Sequence, residues 1–525
     1  MSGPLDMLPL APGGVALGKA MIERASWAAR AFASYDVERV REIARAAAEA
    51  GAAQAQELAA EAVEETGFGV IEHKVLKNIA CSRGIYDTYA VADHVSLRMD
   101  AELRQVVLPR PAGVIFALTP STNPVATAYF NIMLALLTRN TIVVSPHPFA
   151  KRATAKAARI MAEAAVAAGA PDGCIQVVAE PSVPLVNALM TDDRVDVIVA
   201  TGGTPMVRAA YSSANPALGV GPGNVPVLVD ATADLARTAK LIVDSKSFDN
   251  SVLCTNESVL VAVDSIADRL TTELQRAGSY LTTPEESARL ADLIFDGERL
   301  NTAWIGRSAE TIAEAAGIKV PRGTRVLITP IDLVVPEEPM AHEKLMPVLA
   351  MVRVPTVDRG IAAAQAVLRI TGAGHSAVVH SQDAATIAKY AAAVRVLRVA
   401  VNVGSSLGNS GFETHLAPTM TIGTGFFGRS SLGANLAPEH LVHETRIAYP
   451  VDLGVPMPDF AQLQPWSAPA GPVPAYPNAS NLDPARDHSA AARGEVFPAG
   501  MGETDALREE IRRLVIEELR AMVKS

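Results

Sequence analysis

Hydrophobic positions follow two different periods along the chain. Between about residues 18 and 89, apolar residues recur every three or four positions, which predicts amphipathic helices. From residue 106 onward, short apolar runs alternate with alanine-rich helical stretches, a pattern typical of a parallel sheet covered on both faces. The predicted strands of this first set are 113–118, 141–145, 174–178, 195–200 and 225–229, and its predicted helices are 125–137, 151–168, 184–190 and 207–214.

A second set of alternating elements begins near residue 241. We therefore expect an α/β fold with a doubly wound first domain over residues 1–240 and a second α/β domain over residues 241–428. The predicted strands of the second set are 258–263, 326–329, 348–354, 376–380 and 399–403, with helices such as 266–277 and 383–393 between them.

The last 75 residues have a different composition. Residues 451–500 contain nine prolines and almost no apolar periodicity, so apolar burial cannot offset the entropy of ordering them, and we interpret them as a linker. Residues 501–525 regain helical character, with Thr504 or Asp505 as a suitable N-cap. The apolar residues on one face of this predicted helix are Leu507, Ile511, Leu514, Val515, Leu519, Met522 and Val523.

Composition narrows the class of protein. Of the 525 residues, 49% are hydrophobic and 19% are charged, so the chain can build large cores. A net charge of -10 without a basic stripe argues against a nucleic-acid partner. Three cysteines cannot form a disulfide framework, and residues 1–20 lack the pattern of a signal peptide, so we expect a cytoplasmic protein. The apolar runs fall far short of the ~20 residues that span a bilayer, so we expect no membrane segment.

Cys254 is the candidate nucleophile among the three cysteines. It lies in the polar, turn-prone stretch 247–257, which enters the predicted strand at residue 258. A nucleophilic cysteine needs partial exposure and nearby hydrogen-bond donors, and a loop at the start of a strand supplies both. The alternative is a small buried packing residue, which is our interpretation of Cys81 and Cys174.

Three glycine clusters differ in context. The G-x-G-x-x-G of residues 423–428 follows no clear strand and precedes no helix, so we do not interpret it as a dinucleotide fingerprint. Residues 201–205 follow an apolar strand and open a helix, where backbone N–H groups can hold a pyrophosphate, although an ordinary tight turn fits equally. Residues 219–224 suit close approach to a flat group such as a nicotinamide ring, or a structural turn.

The ten histidines give no metal signal. No pair has metal-ligand spacing with a cysteine or an acidic partner, so we predict no metal site. His147 and His375 lie in predicted loops and are candidate binding residues or simply polar loop residues.

The order of these motifs resembles the aldehyde dehydrogenase superfamily, specifically its CoA-acylating branch, over roughly residues 37–450. The resemblance implies two doubly wound α/β domains, a small β element for oligomerisation and, beyond them, the tail helix. The stretches that carry it are LTPSTNP at 118–124, SPHP at 145–148, TGGT at 201–204, GVGPGN at 219–224, FDNSVLC at 248–254, HEKLMPV at 342–348 and GHS at 374–376.

The resemblance also implies roles for individual residues. Cys254 is the implied nucleophile that attacks an aldehyde and carries a thioester, and Asn123 with the Cys254 backbone N–H stabilises the oxyanion. Residues 145–148 are the implied contacts of the adenosine ribose, and residues 202–204 those of the pyrophosphate. Glu343 is the implied contact of the nicotinamide ribose. The full set of implied cofactor-binding residues is Ser145, Pro146, His147, Pro148, Gly202, Gly203, Thr204, Gly221, Glu343, Leu345 and His375.

Two departures from the superfamily pattern affect the expected chemistry. Hydrolytic members carry a glutamate before the cysteine that activates water, whereas residues 219–223 hold no acid, so we expect transfer of the acyl group to CoA. Ser145 stands where many relatives have a ribose-binding lysine, and no Arg or Lys follows until Lys151, which favours NAD over NADP.

The resemblance extends to assembly. The resemblance implies that two elements form the contacts of a homodimer or homotetramer. They are a hairpin at residues 95–108 and a strand near residues 445–451, which overlaps the end of the oligomerisation segment 429–450. The linker and tail helix resemble encapsulation peptides of bacterial microcompartment cargo, since a lone helix of about 20 residues gains stability from a partner. Docking of the helix on its own enzyme and a coiled coil between tails are alternatives. Since only 75 residues follow residue 450, we expect no second, alcohol dehydrogenase activity.

The sequence therefore predicts an NAD-dependent, CoA-acylating aldehyde dehydrogenase acting on a short-chain aldehyde, with propionaldehyde preferred and acetaldehyde possible as well. We expect it inside a bacterial microcompartment, bound to a shell protein through residues 501–525. A hydrolytic aldehyde dehydrogenase and a catalytically silent assembly protein are the alternative hypotheses.

Overall fold

The computed structural model describes residues 14–297, 299–461, 463–466 and 476. The predicted tail helix and most of the predicted linker lie outside the described residues. Among the residues that the model describes, no helix combines the length and the apolar character needed to cross a bilayer.

The N-terminal region is helical, as its period predicts. The side chain of Asp36 caps the second helix by accepting a hydrogen bond from the Arg39 N–H at 2.8 Å. Gln54 ends this second helix and precedes the third. The helices are α1 (Gly14–Phe32), α2 (Val37–Ala53), α3 (Ala55–Thr66), α4 (Ile71–Ile79) and α5 (Ile85–Tyr89), and a π-helical turn, Ala80–Gly84, joins the last two.

A short hairpin, β1 (Arg98–Asp100) and β2 (Gln105–Pro111), leads into the first sheet. That sheet is parallel and has the strand order β5-β4-β3-β6-β7. Its elements are β3 (Val114–Leu118), α6 (Pro124–Leu137), β4 (Thr141–Ser145), α7 (Lys151–Ala167), β5 (Ile175–Val177), α8 (Val183–Met190), β6 (Val197–Thr201), α9 (Thr204–Tyr211) and β7 (Ala217–Val220).

This order is doubly wound and confirms the predicted topology. Because the strand order reverses between β3 and β6, the carboxyl ends of these two strands form the crevice where such sheets bind ligands. One strand of this sheet was missed, because Gly219 belongs to β7 rather than to a loop. Its N–H donates to the Tyr211 hydroxyl at 2.9 Å.

The second sheet is also parallel, with the order β10-β13-β14-β9-β8-β15-β16. Its elements are β8 (Val225–Val229), α10 (Leu235–Ser247), β9 (Glu257–Val263), α11 (Asp264–Arg276), β10 (Ser279–Leu281), α12 (Pro284–Ile294), α13 (Ala309–Ala315), β13 (Val326–Pro330), β14 (Val348–Val354), α14 (Val357–Ile370), β15 (Ala377–His380), α15 (Ala384–Ala393), β16 (Val399–Val401) and α16 (Ser405–Gly408), with β11 (Phe295–Asp296) and β12 (Arg299–Leu300) as a separate two-stranded ribbon.

The predicted boundary after residue 240 falls inside α10 and needs a correction. β8 pairs with β9 and β15, so this strand belongs to the second sheet although the prediction placed it in the first domain. The reason is physical: a buried apolar strand has the same local pattern in either sheet, and its partner is chosen by packing.

The last strand, β17 (Val442–Ala448), pairs antiparallel with β2, so that β2 lies between β1 and β17 in a three-stranded sheet. The predicted hairpin and late strand therefore pair. The late strand begins at residue 442, three residues before the predicted start at residue 445. Six of the seven β17 residues are exposed.

Candidate active site

Cys254 lies between a tight turn, Phe248–Ser251, and the start of β9. Three consecutive residues of this turn have positive φ angles: 50° at Asp249, 51° at Asn250 and 66° at Ser251. This region is costly for residues other than glycine, so surrounding contacts must hold it. Asp249 supplies several of them, because its buried carboxylate accepts hydrogen bonds from the Val70 N–H at 2.6 Å and from two lysines.

Cys254 as a residue is partly exposed, whereas Cys81 and Cys174 are buried. Burial raises the pKa of the Cys254 thiol to about 12, and the Glu343 carboxylate raises it further, while the Arg398 guanidinium acts in the opposite direction. The thiol is therefore protonated at neutral pH in this state, and attack on a carbonyl requires that the proton leave.

Asn123 follows β3 and immediately precedes α6, whose first residue is Pro124. Its buried side-chain amide donates to the Val252 carbonyl at 3.3 Å, and the Lys77 ammonium donates to its Oδ1. The segment that leads to Cys254 therefore packs against the amide. Asn123 thus contacts a residue two positions before Cys254, although 131 positions separate Asn123 and Cys254 in sequence.

Glu343 also lies near Cys254, and its charge acts on the thiol. The N–H of Gly223 donates to its Oε1 at 3.2 Å, and a Cβ atom on Gly223 would lie 2.0 Å from the Cys254 carbonyl oxygen. Burial raises the pKa of Glu343 to about 8, against the effects of the Gly223 N–H and two buried lysines. One of these, Lys246, donates to the Lys344 carbonyl at 3.3 Å and so anchors the loop that carries Glu343. Leu345 lies in the same loop, where its carbonyl accepts the N–H of Gly306 at 2.9 Å.

The predicted nucleotide residues gather at the carboxyl edge of the first sheet. Ser145 ends β4, and its carbonyl accepts the N–H of Thr119 at 3.1 Å, which links the loops that follow β3 and β4. The His147 N–H in turn donates to the Thr119 carbonyl at 3.1 Å. Pro148 begins a short 3-10 turn, Pro148–Ala150, directly after Pro146 and His147.

The turn that opens α9 is sterically open. A Cβ atom on Gly202 or Gly203 would meet its nearest heavy atom at 3.9 or 3.8 Å, and Thr204 is the first residue of the helix. An open helix N-terminus with free approach for an anion suits a pyrophosphate. Gly221 lies farther along the same edge, where a Cβ atom would be 3.5 Å from the Thr424 hydroxyl oxygen.

His375 is fully buried. Its Nδ1 lies 3.1 Å from the Ser376 hydroxyl, and no partner is described for its Nε2. Burial, with a smaller effect of the Arg398 guanidinium, lowers the pKa of His375 to about 3, so the ring is neutral. Residues 423–428 pack against the residue before His375, since a Cβ atom on Gly374 would lie 1.8 Å from the Thr424 carbonyl oxygen.

Sequence reasoning missed four residues of this site: Lys77, Asp249, Gly223 and Arg398. Gly223 and Asp249 were in motifs already singled out, but their contacts were not. Lys77 lies on α4, and Arg398 directly precedes the edge strand β16. A single basic residue in such a pattern is normally predicted to be solvent-exposed. Both side chains are in fact buried, with exposures of 4%, and the sequence pattern gives no indication of this burial.

The chain belongs to the aldehyde dehydrogenase family, whose model matches residues 13–415. The bifunctional aldehyde-alcohol dehydrogenase AdhE of Escherichia coli strain K12 is 40% identical over 435 residues, which cover 82% of this chain and 49% of AdhE. The chain thus spans about half the length of the curated relatives it matches in this way.

Two solved structures resemble the model along most of their length. An acetylating aldehyde dehydrogenase from Geobacillus thermoglucosidasius is 36% identical, with a TM-score of 0.82, covering 85% of this chain and 98% of that one. A propionaldehyde dehydrogenase from the fucose utilisation bacterial microcompartment of Clostridium phytofermentans is 29% identical, with a TM-score of 0.75, covering 82% of this chain and 97% of that one.

Proposed function

We propose that this chain is an acylating aldehyde dehydrogenase that converts a short-chain aldehyde, CoA and NAD+ to acyl-CoA and NADH. The observation that carries the proposal is the glycine backbone at Gly223, which packs against Cys254 in a stretch, 219–223, without a carboxylate to activate water. A thioester on Cys254 is then protected from that route of hydrolysis and available to the CoA thiol.

The residues around Cys254 have complementary roles in the proposed reaction. The sulfur attacks the carbonyl carbon of the aldehyde as its thiol proton leaves. The Nδ2 of Asn123 and the Cys254 N–H donate to the oxyanion that develops on the carbonyl oxygen. Collapse of the tetrahedral adduct with loss of hydride leaves the thioester, and attack by the CoA thiolate returns the free Cys254 thiolate.

The first-sheet edge fits a nicotinamide dinucleotide, which accepts the hydride when bound. The open turn at Gly202 and Gly203 before α9 suits the pyrophosphate, and residues 145–148 suit the adenosine ribose. Glu343, held by the Gly223 N–H, suits the nicotinamide ribose. NAD is favoured over NADP because Ser145 is uncharged and the first Arg or Lys after it, Lys151, is already paired with Glu180.

The activity test is CoA-dependent formation of NADH from C2 to C4 aldehydes. We expect Cys254→Ala to abolish turnover, while the matched control Cys174→Ala, at a buried packing position, keeps it. Equal turnover with and without CoA, accompanied by release of free acid, would instead support the hydrolytic alternative. Substantial turnover by Cys254→Ala would overturn the thioester mechanism, and no turnover by the wild type would support the silent assembly protein.

Propionaldehyde is the proposed preferred substrate, and a bacterial microcompartment is the proposed location. The likeness to the Clostridium phytofermentans enzyme and the proline-rich sequence that ends in an apolar helical pattern support both. Deletion of residues 501–525 is expected to remove association with the shell while leaving NADH formation unchanged. Unchanged shell association would contradict the targeting role.

We also propose a homo-oligomer, a dimer or a tetramer, built on the three-stranded sheet. β17 is an edge strand with six exposed residues, and an edge of that kind is open to pairing with a second chain. Light scattering of the wild type is expected to give two or four subunits, and a monomer would contradict this part of the proposal.

A further inference from the structure

A buried charged cluster lies beside the proposed oxyanion site. It consists of Lys74, Lys77 and Asp249, with exposures of 3%, 4% and 0%. The Lys77 ammonium donates to both Asp249 Oδ2 and Asn123 Oδ1. Lys74 donates to the same Asp249 oxygen at 3.1 Å and to the Thr122 carbonyl at 3.1 Å, without reaching Asn123.

The chemistry of the neighbours fixes the orientation of the Asn123 amide. An ammonium only donates hydrogen bonds and a carbonyl only accepts them. The amide oxygen must therefore face Lys77, and the amide NH2 must face the Val252 carbonyl, 3.3 Å away. The reversed amide would set NH2 against the ammonium and oxygen against the carbonyl.

Charge balance explains why Lys77 reaches Asn123. Two buried ammonium groups share the single carboxylate of Asp249, whose remaining hydrogen bonds include the Val70 N–H. A buried ammonium needs further acceptors once its counter-ion is shared, and Asn123 Oδ1 provides one. The same carboxylate belongs to the positive-φ turn before Cys254, so one cluster contacts both halves of the site.

We propose that Lys77 is a positioning residue that holds the donor end of the Asn123 amide toward the developing oxyanion. This inference rests on the proposed function, since it concerns the step in which the thiolate adds to the aldehyde. Both hydrogen bonds from the Asn123 Nδ2, to Val252 and to Thr122 Oγ1 at 3.2 Å, are long, so a stronger acceptor can take one of its hydrogens.

The test separates oxyanion stabilisation from reactivity of the thiol. We expect Lys77→Met to slow the pre-steady-state burst of NADH by about 10- to 100-fold, less than the ~10²–10³ of losing an oxyanion donor outright. Alkylation of Cys254 by iodoacetamide needs no oxyanion and is expected to stay within about twofold of wild type. Equal losses in both assays would show a merely structural role and overturn the inference.

A double-mutant cycle shows whether Lys77 acts through Asn123. If it does, Lys77→Met causes little further loss of burst rate in an Asn123→Ala protein. Independent, multiplicative losses would overturn the inference. Lys77→Gln, whose side-chain NH2 can still donate to Asn123 Oδ1, is expected to retain more activity than Lys77→Met, although both lack the charge.

Lys74→Met is the matched control, because it removes the other lysine of the same carboxylate without touching Asn123. We expect Lys74→Met to lose less burst rate than Lys77→Met, although the two variants lose a similar amount of melting temperature. If Lys77→Met does not fold, Lys77→Leu takes its place. A loss as large as that of Lys77→Met would overturn the inference.

If Asn123→Ala and Cys254→Ala both keep full NADH formation, the proposed function itself fails. If they lose it and Lys77→Met does not, only this inference fails.

Discussion

The carbonyl oxygen of Cys254 lies 2.0 Å from the position that a Cβ atom would take on Gly223. Contacts of a real Cβ atom below 3.0 Å are essentially never seen, so a side chain here must displace the backbone at Cys254. Glycine at this position is therefore a requirement of close packing between two loops of the site.

Gly223→Ala should lower turnover by about 100-fold or more, since displacement of a reacting group by about 1 Å has an effect of that order. Gly433→Ala is the matched control, because a Cβ atom at this exposed glycine would have no heavy atom within 4 Å. Steady-state NADH formation measures both. Wild-type turnover by Gly223→Ala would show that the close approach is absent in solution.

Glu343→Gln should make the Cys254 thiol more acidic at high pH. The carboxylate raises the pKa of the thiol, but its own pKa is about 8, so it carries its charge mainly above that pH. We expect iodoacetamide to alkylate the variant about three- to tenfold faster at pH 9, with little difference at pH 6. Glu337→Gln, on the exposed part of the preceding loop, is the control. Slower alkylation of the variant at pH 9 would contradict the assigned sign.

Arg398→Gln should have the opposite effect on the thiol. The buried guanidinium favours the thiolate of Cys254 and is held by the Gly423 carbonyl. Its loss should slow alkylation by about three- to tenfold at pH 8, whereas Arg395→Gln, which removes an exposed arginine stacked at 5.0 Å over Phe427, should not. Equal effects of the two substitutions would assign the rate to overall charge and not to the buried contact.

His380→Leu should reduce the sensitivity of the fold to acid. Burial lowers the pKa of His380 from 6.5 to about 4, so below pH 6.5 the unfolded chain binds more protons than the folded one and stability falls as pH falls. Relative to wild type, the variant should gain about 2 kcal/mol of unfolding free energy between pH 7.5 and 5, at about 1.4 kcal/mol per pKa unit. Urea unfolding at both pH values measures this, with the exposed His415→Leu as control. An unchanged pH dependence in His380→Leu would contradict the lowered pKa.

Local pattern was sufficient for most elements of both sheets. The strands at 141–145, 225–229 and 348–354 were predicted with the observed bounds, because each is a mostly apolar run between turn signals. The domain to which β8 belongs was not predictable in this way, since strand pairing is a long-range choice between similar apolar edges. The short strand β7 was missed because Gly219 and the glycines after it favour a loop.

The sequence by itself determined the order of elements, the motifs that resemble the aldehyde dehydrogenase superfamily and the choice of Cys254 over two packing cysteines. Only the tertiary structure decided which groups lie near Cys254. Gly223 packs against its carbonyl and binds Glu343, and the charges of Glu343 and Arg398 act on its thiol. Lys77 joins Asp249 to the Asn123 amide. The physical reason is that periodicity reports which face of an element is buried, whereas the pKa of a group and the direction of its hydrogen bonds depend on neighbours that are distant in sequence.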